Sequence, residues 1–318
     1  MRTARAQRGV ALVTAVMIVA IAAAIAAQIA FAHQIWFRQM ENVAERGATD
    51  WLRRGALHWA SVALLEDAAK NPIDHLGESW AMGLPILPVE GGAIKVSIED
   101  AQSRFNLNNL WRNNAQSPQD IAIFGRLLGT LRLDPLLVNA LVDWIDPNGN
   151  ASSGGAEDID YLNLDPPYRA ANRPLASVDE LRLVRGFDAK TVAALLPYVT
   201  VLPSTAPSEI NVNTASPMVL AALVQGLDLP AAQRIAENRR GNPFDNINEF
   251  TSKLPPGPTP PTGGMSVKSD YFLITLDTSI GRHERRSEAL LKRSNASAEV
   301  FWHRPLPLTG PDEADDSQ

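Results

Sequence analysis

Seven carboxylate or amide side chains able to offer oxygen to a cation fall within 18 residues: Asp143, Asp146, Asn148, Asn150, Glu157, Asp158 and Asp160. Hard cations such as Ca2+ gather about six to eight oxygens, largely from carboxylates and amides, so this donor set suits that chemistry. Counting Asp146 as the first position of a twelve-residue calcium loop puts Asn148 third, Asn150 fifth and Glu157 twelfth, all ligand positions in such loops. Two features depart from the pattern. Ala151 stands where a glycine makes the sharp turn, and no periodic helical run follows Glu157. The loop is therefore expected to bind Ca2+, one or two ions, with another geometry that also draws on Asp143, Asp158 and Asp160. Without a cation, carboxylates this dense repel one another. A solvated acidic turn is the competing reading.

Catalysis finds little support elsewhere. His33, His58, His75, His283 and His303 are scattered, and none belongs to a pair such as H-E-x-x-H. There is no G-x-S-x-G turn and no phosphate-cradling glycine loop. The chain has no cysteine, which excludes disulfides and thiolate metal sites. Arg104 to Leu110 reads as a turn into a helix with Phe105 and Leu107 buried, and Pro166-Pro167-Tyr168-Arg169 as packing around the acidic loop. The sequence does not read as an enzyme.

The elements that carry the loop start at the N-terminus. Arg2, Arg5 and Arg8 precede Gly9, after which Val10 to Ala32 run for 23 residues without a charge. At 1.5 Å per residue such a helix spans roughly 34 Å, enough to cross a bilayer core. The basic flank keeps the N-terminus cytoplasmic and the rest of the chain outside. An amphipathic continuation, with Leu52, Ala56, Trp59 and Ala63 as the expected apolar stripe, runs to about Ala69, where Asn71-Pro72 stops it. Ala93 to Asp100 alternates as a strand. Strand patterning returns only at Tyr271 to Leu276 and Ser287 to Lys292, a hairpin about Gly281, with Ala298 to Trp302 as a short edge strand. Between them the chain reads as helices and loops.

The expected fold class is thus α+β. A long N-terminal helix packs on an antiparallel sheet, interrupted by a large all-α insertion. The expected divisions are 1–9 leader, 10–32 membrane or assembly helix, 33–102 first part of the body, 103–253 inserted helical domain, 254–304 second part of the sheet, and 305–318 a disordered acidic tail. Lys253 to Gly264, with five prolines and three glycines, is the return linker.

The insertion holds a weak repeat, Leu175 to Asp188 and Ile210 to Ile235, each with a capped helix, a Gly-apolar-Asp turn (Gly186-Phe187-Asp188, Gly226-Leu227-Asp228) and a second helix. These units resemble helix-hairpin-helix elements, which grip phosphate through backbone N–H groups. A membrane-anchored DNA receptor is therefore the alternative reading. Asp188 and Asp228 oppose it, because a carboxylate at the turn repels phosphate. So does the balance of 29 Lys and Arg against 35 Asp and Glu, a formal net charge of −6. No nucleic-acid partner is expected.

Arg8-Gly9-Val10 followed by the apolar run resembles a type IV prepilin leader, in which cleavage after glycine leaves the apolar helix on the mature chain. Most members place glutamate fifth in the mature sequence, where this chain has Thr14. With Phe105 to Leu110, Asp143 to Asp160, Pro166 to Arg169, Ser177 to Gly186 and Asn211 to Ala215 in that order, the chain resembles the K-type minor pseudopilins of type II secretion. The resemblance implies a pilin-like body with an inserted α-domain that binds calcium, and processing by a prepilin peptidase between Gly9 and Val10. It further implies an inner-membrane subunit with a periplasmic body, partnered by I- and J-like minor pseudopilins and other pseudopilus subunits. Thr14 cannot neutralise the amine of a preceding subunit, which suits a place at the filament tip.

Overall fold

The computed structural model describes residues 4–203, 207–294 and 296–308. Helix α1, Ala4–Lys70, is continuous over 67 residues, about 100 Å. It contains an 18-residue window of mean hydropathy 2.8, none of it buried. Gly9 and Val10 lie within this helix. The Thr14 hydroxyl sits 3.0 Å from the carbonyl oxygens of Val10 and Ala11, so its hydrogen bond is satisfied inside its own helix. α1 ends where Pro72 requires.

The sheet has five antiparallel strands in the order β1 (Leu87–Val89), β2 (Gly92–Asp100), β3 (Tyr271–Ile280), β4 (His283–Arg293) and β5 (Ala298–Leu306). Alternation puts one face on α1. Val96 lies opposite Leu276 and Ile98 opposite Ile274, while Phe272 pairs with Leu291. These side chains bury Leu57, Ala60 and Leu64 of α1, with Trp80 edge-on to Phe272 at 5.2 Å. Leu52 and Ala56 pack against this core as expected, but beyond them the stripe is turned by one residue, with Ala60 and Leu64 buried and Trp59 42% exposed. Ala60 lets the helix approach the sheet closely; an indole in its place would hold the two apart. β5 runs to Leu306, past the expected end at Trp302, helped by Arg304 pairing with Glu288 across the strands at 2.9 Å. The remaining expected tail, 309–318, lies outside the described residues.

The two ends of the sheet face opposite ways along α1. The β3–β4 turn at Gly281 meets the earlier part of the helix, with His283 3.4 Å from Glu45 and Arg282 3.7 Å from Glu41. At the other end Arg293 bonds the carbonyl of Leu64 near the helix C-terminus. There the chain leaves β2 after Asp100 and returns to β3 at Tyr271. Residues 101–270 thus hang from the end of the body farthest from the apolar segment.

That stretch carries α2 (Pro118–Thr130), α3 (Leu137–Ile145), α4 (Asp158–Leu162), α5 (Ala189–Leu195), α6 (Pro217–Leu223), α7 (Leu229–Asn238) and α8 (Ile247–Ser252). They enclose a second core, including Phe105, Phe124, Leu141, Tyr161, Leu220 and Phe250, separate from the core under the sheet. Two short parallel pairings not expected from the sequence hold it: Phe105–Asn106 with Val199–Thr200, and Ile210–Asn211 with Met265–Ser266. Helix α4 was not expected either, because five residues are too few to show a period.

Candidate metal centre

The acidic loop joins α3 to α4. The apolar residues of α3 are mostly buried, which carries Asp143, on its last turn, and Asp146, just past its end, inward with them. The loop then turns back through Gly154, at φ +79°, and Gly155. Gly155 passes so close to Asp143 that a Cβ there would stand 1.8 Å from Asp143 Oδ2. Only glycine fits, and its passage brings Glu157 inward.

Asp143, Asp146 and Glu157 are 0%, 1% and 3% exposed. Asp143 Oδ2 accepts from the Ser152 N–H at 2.8 Å, and Asp146 Oδ1 from the Asn148 N–H at 3.0 Å and side-chain amide at 2.7 Å. Asp143 Oδ1 and both Glu157 oxygens are buried without a well-formed hydrogen bond, the N–H groups at the start of α4 offsetting the Glu157 charge only in part. Burial, then the carboxylates of Asp143 and Asp146, push Glu157 up to about 7. Burial raises Asp146 in the same way. Buried carboxylates carry a desolvation penalty of several kcal/mol each unless a cation or donors compensate. An all-oxygen donor set of this kind suits a hard divalent cation.

The other four expected ligands are placed differently. Asn148 and Asn150 are exposed, and Asn148 Oδ1 accepts from the Asn150 N–H at 2.9 Å, which shapes the loop. Asp158 accepts from Arg169 at 3.1 Å and the Ala170 N–H at 3.0 Å. Asp160 accepts from Arg185 and from the Glu157 N–H, both at 3.1 Å. The structure thus buries three of the seven, leaves partnerless oxygens on two of them, Asp143 and Glu157, and gives the outer two carboxylates arginine partners. Trp144 stands edge-on to Tyr161 at 5.0 Å, and Tyr168 stacks on Tyr161 at 5.3 Å, walling the loop with aromatic rings.

A second acidic group was not anticipated: Asp67, Asp74 and Glu78 each offer an oxygen within 4.8 Å of the others. The signal was an acidic residue on an apolar helix face, since Asp67 continues the buried spacing Leu57, Ala60, Leu64. Arg293, also buried, meets Asp74 at 2.6 Å.

The Gly-apolar-Asp turns keep the left-handed glycines, Gly186 at φ +86° and Gly226 at φ +81°. Asp188 accepts from the Thr191 N–H and Asp228 from the Ala231 N–H, each at 2.7 Å. The helix N-termini that would receive phosphate are thus capped by the chain's own carboxylates. This geometry gives the DNA-receptor reading no support.

Two family models, both described as type II secretion system (T2SS), protein K, match residues 103–204 and 210–268. A Type II secretion system protein K of Pseudomonas aeruginosa is 34% identical over 97% of this chain and 98% of its own. The protein of that name from Klebsiella pneumoniae is 31% identical over 94% and 96%. Among solved structures, a chain of the GspK-GspI-GspJ complex from the enterotoxigenic Escherichia coli Type 2 Secretion System superposes with TM-score 0.74 at 26% identity. The match covers 85% of this chain and 99% of that one.

Proposed function

The chain belongs to the type II secretion system protein K family and is a minor pseudopilin, and on that premise we propose that it sits at the tip of the periplasmic pseudopilus, initiating or capping its assembly. The observation that carries this reading is the place of residues 101–270, at the end of the body farthest from the apolar helix. A subunit stacked beyond this one would meet that mass. Thr14 agrees, because it presents no carboxylate to a neighbour above and its hydroxyl is held by its own helix.

Before assembly the Val10 to Ala32 segment anchors the subunit in the inner membrane with its body in the periplasm, after a prepilin peptidase cuts between Gly9 and Val10. Assembly moves that segment from lipid into a bundle of the same segments. Both settings keep it from water, at ~1.5–3 kcal/mol per large apolar side chain. I- and J-like minor pseudopilins are its partners; the likeness to a chain of the GspK-GspI-GspJ complex supports this. The role is mechanical, in keeping with a structural component of a secretion machine. The paired helices about Gly186 and Gly226 are helix-hairpin-helix-like units used as scaffold inside the inserted domain.

Asp143, Asp146 and Glu157 hold a Ca2+ ion, with Asn148 and Asn150 shaping the loop and Asp158 and Asp160 as outer members or ligands of a second ion. The support is the set of buried oxygens without a well-formed hydrogen bond and the close passage of Gly155. The ion supplies the positive charge that lets the loop stay folded.

Gold-labelled antibody to the inserted region tests the tip position. It should decorate one end of over-assembled pseudopili; label spaced along the shaft would refute it.

A further inference from the structure

Asp67, Asp74 and Glu78 lie where the last turn of α1, the segment after it and the end of β4 converge. They are 8%, 2% and 5% exposed. Arg293 serves Asp74 in full: its Nη2 donates to both Asp74 oxygens at 2.7 and 2.6 Å and to the Ser269 carbonyl at 2.7 Å. Its Nη1 goes to the Leu64 carbonyl at 3.3 Å. One guanidinium therefore neutralises one carboxylate.

The other two are half-used. Asp67 Oδ1 accepts from the Asn71 amide at 2.8 Å, and Glu78 Oε2 from the His75 N–H at 3.0 Å and the Trp80 indole at 2.7 Å. Asp67 Oδ2 and Glu78 Oε1 are buried with no hydrogen-bond donor. The nearest basic nitrogens, Arg293 Nη1 at 3.9 Å and His75 Nε2 at 4.0 Å, are beyond hydrogen-bond reach. Asp100, also buried, adds a further acidic group through Ser269, whose hydroxyl bonds Asp100 while its N–H bonds Asp74. The junction is short of positive charge.

The spacing suits a cation. Oxygens at about 2.3–2.6 Å from a central Ca2+ stand up to about 5 Å apart, and the three carboxylates offer oxygens within 4.8 Å of one another. A cleft lined by Trp59, Glu66, Asp67, Lys70, Asn71 and Ser79 opens this side of the junction to solvent. We propose that Asp67, Asp74 and Glu78 form a hard divalent-cation site, distinct from the α3–α4 loop, that pins the end of α1 to the chain after it. Through Arg293 the ion also ties that end to β4, where residues 101–270 leave and rejoin the sheet.

The test counts ions on the full chain in detergent by equilibrium dialysis against Ca2+, comparing wild type with Asp67→Asn/Glu78→Gln. The double variant keeps shape and acceptors, and its melting temperature in EDTA should equal or exceed wild type. It should hold one Ca2+ fewer per chain. In a chain already carrying Asp143→Asn/Glu157→Gln, so that Trp144 beside the loop has no ion to sensitise, Tb3+ luminescence excited through Trp80, whose indole bonds Glu78, should be lost with it. Asp143→Asn/Glu157→Gln should leave this ion and this signal in place, so failure of the loop site and of this one read separately. An unchanged ion count in the double variant overturns the proposal, as does a variant of the loop that folds and binds no ion at millimolar Ca2+; protons would then balance the junction. Should the double variant not fold, Asp67→Asn alone must weaken the ion at least tenfold, and unchanged affinity overturns the proposal.

Discussion

Replacing Glu157 with glutamine should stabilise the ion-free protein and remove the α3–α4 loop's share of its response to Ca2+. In wild type both Glu157 oxygens are buried without a well-formed hydrogen bond, and burial, then Asp143 and Asp146, push the carboxyl from 4.5 up to about 7. A raised acid means that the folded state binds the proton more tightly than the unfolded one. Stability is then fully present below pH 4.5 and is lost as pH rises through 7. At pH 8 the loss is on the order of 3 kcal/mol, at ~1.4 kcal/mol per unit. Glutamine keeps the shape and drops the charge, so in EDTA at pH 8 Glu157→Gln should exceed wild type by up to about 3 kcal/mol. Ca2+ at a hundred times the loop's Kd adds about 2.7 kcal/mol to wild type through that loop and little of it to a variant that has lost a charged ligand there, whatever an ion elsewhere adds to both. The gap seen in chelator should therefore close to near zero in Ca2+, and should shrink at pH 5 without any metal. Urea unfolding in the four combinations of protein and metal measures it. A variant destabilised equally with and without Ca2+ would refute the reasoning, because Glu157 would then be an ordinary hydrogen-bond acceptor.

Gly155→Ala forces a Cβ against Asp143 Oδ2, so overpacking should cost ~1–3 kcal/mol, and calorimetry should show Ca2+ affinity at least tenfold weaker. Asp100 accepts from Gln102, Thr214, Ser269 and Asn211, yet burial pushes it up to about 6. Its contribution should decline as pH rises from about 4 through 6, a fall of up to about 3 kcal/mol in urea unfolding that Asp100→Asn flattens. Phe272→Ala empties the space between Trp80 and the Arg293 guanidinium, 4.6 Å from the ring, and should cost ~3–5 kcal/mol by the same measurement.

The parts of the fold legible in the sequence were those with a period or a breaker. Ile94, Val96 and Ile98 alternate because one face of β2 covers α1, and Pro72 ends the helix for lack of an N–H. The stripe on α1 holds at Leu52 and Ala56 and shifts by one residue after them, because hydrophobicity favours Trp59, whereas close packing on the sheet favours Ala60. Phe105 pairs with Val199 across a separation that no local pattern reports. At the metal centre, composition identified the donors, but whether a carboxylate faces inward depends on tertiary partners. Arg169 and Arg185 draw Asp158 and Asp160 outward, while Gly155 and the buried end of α3 keep Asp143 and Glu157 inside. Asp67 escaped notice because a single acid on an apolar face has no motif.

Assembly of this subunit requires the apolar helix to be retained as the mature N-terminus rather than removed or left behind a leader. Mass spectrometry of the chain isolated from membranes measures this directly. The first residue should be Val10; an intact Met1, or a first residue beyond Ala24, would contradict a pseudopilin role.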